Sequence, residues 1–155
     1  MSRVRARVDI DAPPERVFEF FDDIANAAVF VPRLHAITLV EAKPSGGRRV
    51  EYTTRTTSGS IEPTSSEHLE YVPPTRTVTR GVQAGIVTVS TREFEATTRG
   101  TRVLATVEWN VPVRYVAALI TAPLRGPLRR SLRGSLSAAK QAIEAREIEA
   151  PAIEA

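Results

Sequence analysis

After Val111-Pro112 the pattern of this chain changes from strand to helix, and that switch limits what it can fold into. Downstream, Val116, Leu119, Ile120, Leu124, Leu128, Leu132, Leu136, Ala139 and Ile143 recur every three or four residues, which draws one apolar stripe along roughly 113–147. Upstream, Thr-, Val- and Arg-rich segments predict strands near 35–42, 48–57, 60–71, 75–82, 86–96 and 102–111. They are separated by Pro44-Ser45-Gly46-Gly47, Ser58-Gly59, Pro73-Pro74, Gln83-Ala84-Gly85 and Thr98-Arg99-Gly100, each with the Gly or Pro that a reversal needs. A sheet built from such a meander must cover its apolar face, and the long amphipathic helix is the only element large enough to do so.

The first thirty residues complete the order. Val4, Ala6, Val8 and Ile10 alternate with Arg3, Arg5, Arg7 and Asp9, the period of a strand with one buried face. Asp11 reads as an N-cap residue, Pro13 and Pro14 fit a first helical turn, and Val17, Phe18, Phe20, Phe21 and Ile24 follow at helical spacing. Short helices are expected at about 14–21 and 23–29, the second stopped by Pro32. The expected class is therefore α+β: a seven-stranded antiparallel sheet wrapped around a long C-terminal helix, with two short helices between strands 1 and 2. Pro123, Gly126 and Pro127 predict a kink in the long helix or a broken segment before it. Pro151 is expected to end it, leaving a single domain over 1–147 and a frayed tail over 148–155.

Composition removes several classes of chemistry. The 155 residues suffice for one self-supporting domain, and with no cysteine there can be neither disulfides nor thiol nucleophiles. His35 and His68 are the only histidines, and neither has metal-ligand spacing to other His, Asp or Glu; no serine lies in a nucleophile-elbow motif. No metal and no cofactor are expected. Gly46-Gly47 reads as a turn, since no helix follows to make it a phosphate loop. The net charge is only +3 and no dense basic block is interleaved with aromatics, which argues against nucleic acid as a partner. No apolar run reaches the roughly 20 residues of a membrane span, and the N-terminus enters a strand directly, so a soluble cytoplasmic protein is expected.

The segment VDIDAPPERVFEFFDDIANAAVFVP, Val8 to Pro32, resembles the opening of the START-like superfamily, also called SRPBCC or polyketide cyclase/dehydrase proteins. Thr75-Arg76-Thr77-Val78 with Arg80, Val82 and Gly85 resembles the fifth strand of bacterial aromatase/cyclases, and Phe94 followed by Gly100-Thr101-Arg102-Val103 resembles a penultimate turn common in the superfamily. The resemblance covers the chain to about Ala145 and implies a helix-grip fold enclosing an apolar cavity. The architecture hosts cyclases, lipid and sterol carriers, receptors and quinone-binding proteins, so it does not choose among functions.

Candidate ligand-binding residues follow from strand alternation. On strand 6, Thr88, Ser90, Arg92 and Phe94 share a face; with Phe94 toward the helix, as the resemblance implies, Arg92 enters the cavity. There it binds a ligand carboxylate, phosphate or enolate; the alternatives are a structural pair with Glu67 and a solvent-facing Arg92 beside Glu93 and Glu95. Arg80, between Val78 and Val82 on one face of strand 5, is a parallel case. Tyr52 and Trp109 both read as inward, as ligand contacts or as core, and Leu119 and Leu124 read as cavity wall from the long helix. His68, opposite Glu67, reads as exposed. Arg125, Arg129 and Arg133, spaced by four and accompanied by Arg114 and Arg130, either rim a cavity mouth that attracts an acidic ligand, an anionic membrane or an acyl-carrier partner, or form a solvated face.

Three functions stay open at this point. The first is binding of a hydrophobic or aromatic small molecule, of lipid, quinone or polyketide type, between sheet and helix. The second is a polyketide cyclase/aromatase-type enzyme using the same cavity, and the third an interaction or stress protein with a filled interior. Ligand identity and oligomeric state are not fixed by the sequence.

Overall fold

Strand β1 (Ser2–Ile10) opens a computed structural model that describes residues 2–110 and 117–154, with the side chains of the long helix described over 126–148. The elements that follow are α1 (Pro14–Asp22), a 3-10 turn (Ile24–Asn26), α2 (Ala27–Phe30), β2 (Leu34–Ala42), β3 (Arg48–Arg55), β4 (Ile61–Val72), β5 (Arg76–Gln83), β6 (Ile86–Ala96), β7 (Thr101–Asn110) and α3 (Ala117–Glu154). The seven strands form one antiparallel sheet in the order β1-β7-β6-β5-β4-β3-β2, so β1 crosses to the far edge to pair with β7. This is the expected class, with strand ends within two residues of those read from the sequence.

Local chemistry explains the entry to the short helices. Pro13 caps α1 with its carbonyl, which accepts from the Arg16 and Val17 amides, and Pro14 takes the first helical position, where its missing N–H costs nothing. Asp11 is not the cap: its amide instead donates to Glu144 of α3 at 2.9 Å. Asp23 ends α1 and caps the 3-10 turn, its Oδ1 accepting from the Ala25 amide at 2.9 Å.

The core lies where α1 and α3 meet the β1-β7-β6 side of the sheet. Val17, Phe18, Phe20 and Phe21 of α1, Ile10 of β1, Phe94 of β6, Val103 and Ala105 of β7, and Leu136, Ala139 and Ile143 of α3 are buried together. Phe94 meets Phe18 edge-on and Phe21 at a tilt, at ring-centre distances of 5.2 and 5.9 Å. Polar contacts fasten α3 to the opening segment: Lys140 donates to the Asp9 carbonyl at 2.7 Å, Arg16 pairs with Glu147 at 2.8 Å, and Arg146 donates to Asn26 at 2.9 Å while lying over the Phe20 ring.

Helix α3 differs from expectation. It is one element from Ala117 through Pro123, Pro127 and Pro151 to Glu154, so of the two expectations at Pro123–Pro127, a kink or a broken segment, the broken segment is absent, and so is the expected end at Pro151. Among the described side chains of α3, Leu136 is buried, Leu132 half-buried, and Gly126 to Ser131, Leu128 included, are exposed. Val111 and Val116, at the ends of the predicted strand and stripe, lie outside the described residues.

Candidate functional site

The concave face of β3 to β6 is built largely of hydroxyl residues. Strand pairing puts Val50 and Tyr52 of β3 beside Ser66 and Thr64 of β4, Thr79 and Thr77 of β5 beside Ser90 and Arg92 of β6. The later half of α3 does not cover this region. Instead α1, the 3-10 turn and α2 fold over it, and between them and the sheet lies a cavity of about 190 Å³. Its described lining includes Phe21, Ile24, Ala27, Phe30 and Val31 from the helical side and Leu34, Ile37, Val50, Tyr52, His68 and Arg92 from the sheet. The expected site between sheet and C-terminal helix is thus, among the described residues, one between the sheet and the α1–α2 segment. Leu119 and Leu124, read as cavity wall, have side chains outside the described residues.

Arg92 lines the cavity beside Phe21 and Phe30. Its guanidinium carbon lies 4.8 Å from the Phe21 ring centre and 5.0 Å from that of Phe30, and the two rings are themselves 5.0 Å apart. Those three distances make a nearly equilateral triangle, so both rings sit on one side of the guanidinium and the other side is left to the cavity. Among the described residues no carboxylate lies within ion-pair distance of Arg92, and none of its N–H groups has an acceptor. Desolvation lowers its pKa to about 10, opposed only by nearby Tyr52; it is still a cation at neutral pH. An unpaired, half-buried cation is costly, and the aromatic rings return only part of that cost, about 1–2 kcal/mol.

Glu67, read as the partner of Arg92, is on the opposite face and pairs with Lys43 at 3.3 Å. Arg80, which pairs in register with Glu67, is exposed on that same outer face. The reason is that β5 turns Thr77 and Thr79 inward and Val78, Arg80 and Val82 outward, the reverse of what its apolar residues suggested. Trp109 is buried with Val4, away from the cavity, and its Nε1–H has no acceptor among the described residues. Phe94 belongs to the core and floors a narrow crevice that continues from the cavity past Arg92.

His68 is the residue that sequence reasoning put outside. It lines the cavity on the same face of β4 as Ser66, and a bulge that follows, between His68 and Glu70, leaves Leu69 as an extra, exposed residue. On either side of the bulge His68 and Tyr71 both turn inward, although an unbroken alternation would separate them. His68 Nδ1 accepts the Arg48 amide proton at 3.0 Å, so the proton of the neutral ring belongs on Nε2. Burial, then the Arg48 and Arg92 charges, lowers the pKa of His68, against a raising effect from Asp22. Asp22 is already engaged by the Tyr71 hydroxyl, which donates at 2.6 Å, and by Arg48 at 3.4 Å. Burial first, and then that bond, pushes the Tyr71 phenol up to about 12.

Tyr52 stands at the junction between this cavity and a wider cleft of about 400 Å³ bordered by Thr56, Glu62, Thr64, Gly81, Gln83, Ile86 and Thr88. Burial raises the pKa of Tyr52, with Arg92 working against it, so its hydroxyl stays a neutral donor. The Thr64 hydroxyl on the same cleft is buried with no partner among the described residues. No group of three or more His, Asp or Glu with the geometry to hold a metal ion occurs among the described residues.

Solved structures share this architecture. A protein of Thermus thermophilus, TTHA0849, superposes with a TM-score of 0.76 at 18% identity over 94% of this chain and 99% of its own. The di-domain ARO/CYC StfQ from the steffimycin biosynthetic pathway gives 0.78 at 17% identity, over 94% of this chain and 52% of its own; BexL, the di-domain ARO/CYC from the BE-7585A pathway, gives 0.70 at 23%, over 90% and 49%. The present chain therefore corresponds to about half of each di-domain protein. No curated protein matches it. Residues 1–144 match the family described as polyketide cyclase / dehydrase and lipid transport, and by that match over nearly the whole chain the protein belongs to this family.

Proposed function

We propose that this protein binds a hydrophobic or aromatic small molecule, of lipid, quinone or polyketide type, in the cavity between the sheet and the α1–α2 segment. The observation that carries the reading is Arg92: a cation turned into a partly apolar cavity, with aromatic rings on one side and no acceptor on the other. A side chain so placed fits a polar ligand end, while Ile24, Phe30, Leu34 and Val50 bury an apolar body. Native mass spectrometry of the purified protein tests this directly. A small molecule is expected to co-purify with the wild type and to be lost from a folded Arg92→Leu variant; retention by the variant would remove Arg92 from the site.

A cyclase/aromatase-type enzyme using the same cavity is the second reading. It is favoured by the presence of Arg92, Tyr52 and His68 on one cavity, three donors that suit a developing enolate oxygen. Turnover of a linear polyketide-like substrate, lost on Arg92→Leu, would separate an enzyme from a carrier.

The outer surface supports a peripheral membrane contact beside either reading. Between Glu108 and Glu144 the chain has five arginines and one lysine and no acidic residue. Arg129, Arg130 and Arg133 are exposed on α3, without an ion pair among the described residues.

A further inference from the structure

The cavity floor presents hydrogen-bond donors whose neighbouring carboxylates are all engaged elsewhere. Asp22 takes the Tyr71 hydroxyl and Arg48, Asp23 lines the cavity but gives one oxygen to the Ala25 amide and makes no ion pair with Arg92, and Glu67 is with Lys43 on the other face of the sheet. Arg92 keeps its N–H edge free, since Phe21 and Phe30 occupy only one side of it. His68 has one nitrogen committed as an acceptor to the Arg48 amide, which leaves Nε2–H as the donor available to the cavity that both residues line. Tyr52 adds a hydroxyl where the cavity meets the wider cleft. The set carries positive charge and fixed donors, and among the described residues no carboxylate, Asp23 of the lining included, is within ion-pair distance of Arg92. A neutral apolar molecule would leave the guanidinium desolvated and unpaired, whereas an anion on an apolar body would satisfy it.

We infer, resting on the cavity being the ligand site, that its ligand is a small apolar acid held as the carboxylate, with Arg92 gripping the two oxygens through its N–H fork and His68 Nε2–H donating to one of them. The planar fork matches a carboxylate in a way that a single carbonyl cannot use. The cavity is smaller than the usual range of about 300–1,000 Å³ for ligand pockets, so the apolar body is compact or extends past Tyr52 into the wider cleft.

Two probes of one shape and different charge test this: naphthalene-2-carboxylate and naphthalene-2-carboxamide, titrated calorimetrically into the full chain near neutral pH. The wild type is expected to bind the carboxylate at least about tenfold more tightly. Arg92→Leu should erase that preference while leaving carboxamide binding within about twofold, and Arg92→Lys should keep part of it, since the charge remains and the fork is lost. His68→Phe, which retains a ring of similar size, should weaken the carboxylate several-fold and the carboxamide less. Circular-dichroism melts check folding; should Arg92→Leu not fold, Arg92→Lys and His68→Phe decide the matter. Equal or tighter carboxamide binding by the wild type would overturn the inference while leaving the cavity reading intact. Binding of neither probe would overturn the cavity reading, and the inference with it.

Discussion

At the scale of single residues, the site depends on which groups the fold leaves without partners. For Arg92 the alternation of β6 showed only that it shares a face with Phe94; that this face turns inward rested on the resemblance, with a solvent-facing Arg92 left open, and here Phe94 belongs to the core. His68 was not legible, because the more apolar face of β4, with Leu69 and Tyr71, reads as the inner one, and nothing in the sequence announces the bulge after His68 that leaves Leu69 outside and turns Tyr71 inward. Its burial has a measurable consequence. The folded pKa lies below the ordinary 6.5, so as pH falls through that value the unfolded chain takes up a proton that the native ring refuses. The unfolded state then binds more protons, and stability drops with falling pH below about 6.5 and is flat above it. The groups facing the ring are Asp22, Arg48, Arg92 and Tyr71, with Lys43 on its carbonyl. Asp9 and Glu144, whose pKa values are also lowered, belong to a window below the ordinary carboxylate range and do not contribute here. Urea melts at about pH 7.5 and about pH 5.5 should show the loss in the wild type and a smaller one in His68→Gln, whose side-chain oxygen can still accept the Arg48 amide. An unchanged pH slope in the variant would assign it elsewhere.

At the scale of elements, the turns explain how the strands keep the site in place. The sequence marked Pro44 to Gly47 as a reversal, but not that its last glycine touches a site residue. Gly47 has φ of +74°, and a Cβ there would lie 2.6 to 2.7 Å from atoms of His68. The neighbouring Arg48 supplies the amide that fixes the ring. Gly59 offers an internal comparison, with φ of +90° and open space around the missing Cβ. Both positions favour glycine for backbone reasons, so alanine at either costs about 1–2 kcal/mol. Only Gly47→Ala must also displace the imidazole. It is expected to be less stable than Gly59→Ala by at least about 1 kcal/mol in urea unfolding, and it alone should weaken carboxylate binding. Equal behaviour of the two variants would mean that the turn does not position His68. Helix α3 was harder to read: its prolines signal breaks, yet each removes only one internal bond, and contacts elsewhere outweigh those losses over Leu136 to Ile143.

At the scale of the whole molecule, the order of one strand, short helices, six strands and a long helix was readable because each change of period is physical: two for strands, about 3.6 for helices. What it did not carry was that the α1–α2 segment lines the cavity, since both that segment and α3, whose side chains before Gly126 lie outside the described residues, are apolar enough to do so. With α1 and α2 over the cavity and the later half of α3 on the core, the stretch Gly126 to Ser131 is left exposed. It carries Arg129 and Arg130, with Leu128 exposed between the same turns and Arg133 one turn on. Acidic residues balance arginines elsewhere in the chain, for example Asp9 with Arg102 and Glu108 with Arg3, but none lies between Glu108 and Glu144. A basic helix with an exposed leucine gains roughly 1 kcal/mol per cation near an anionic bilayer. The protein should therefore co-sediment with phosphatidylglycerol vesicles and not with phosphatidylcholine ones at about 0.1 M salt, and release at about 0.5 M as the charges are screened. Combining Arg129→Glu, Arg130→Glu and Arg133→Glu should abolish sedimentation while leaving carboxylate binding in the cavity unchanged, because none of the three lines it. Equal recovery with both lipids would identify the arginines as a solvated face. Loss of cavity binding in the triple variant would instead show that α3 and the ligand site are coupled.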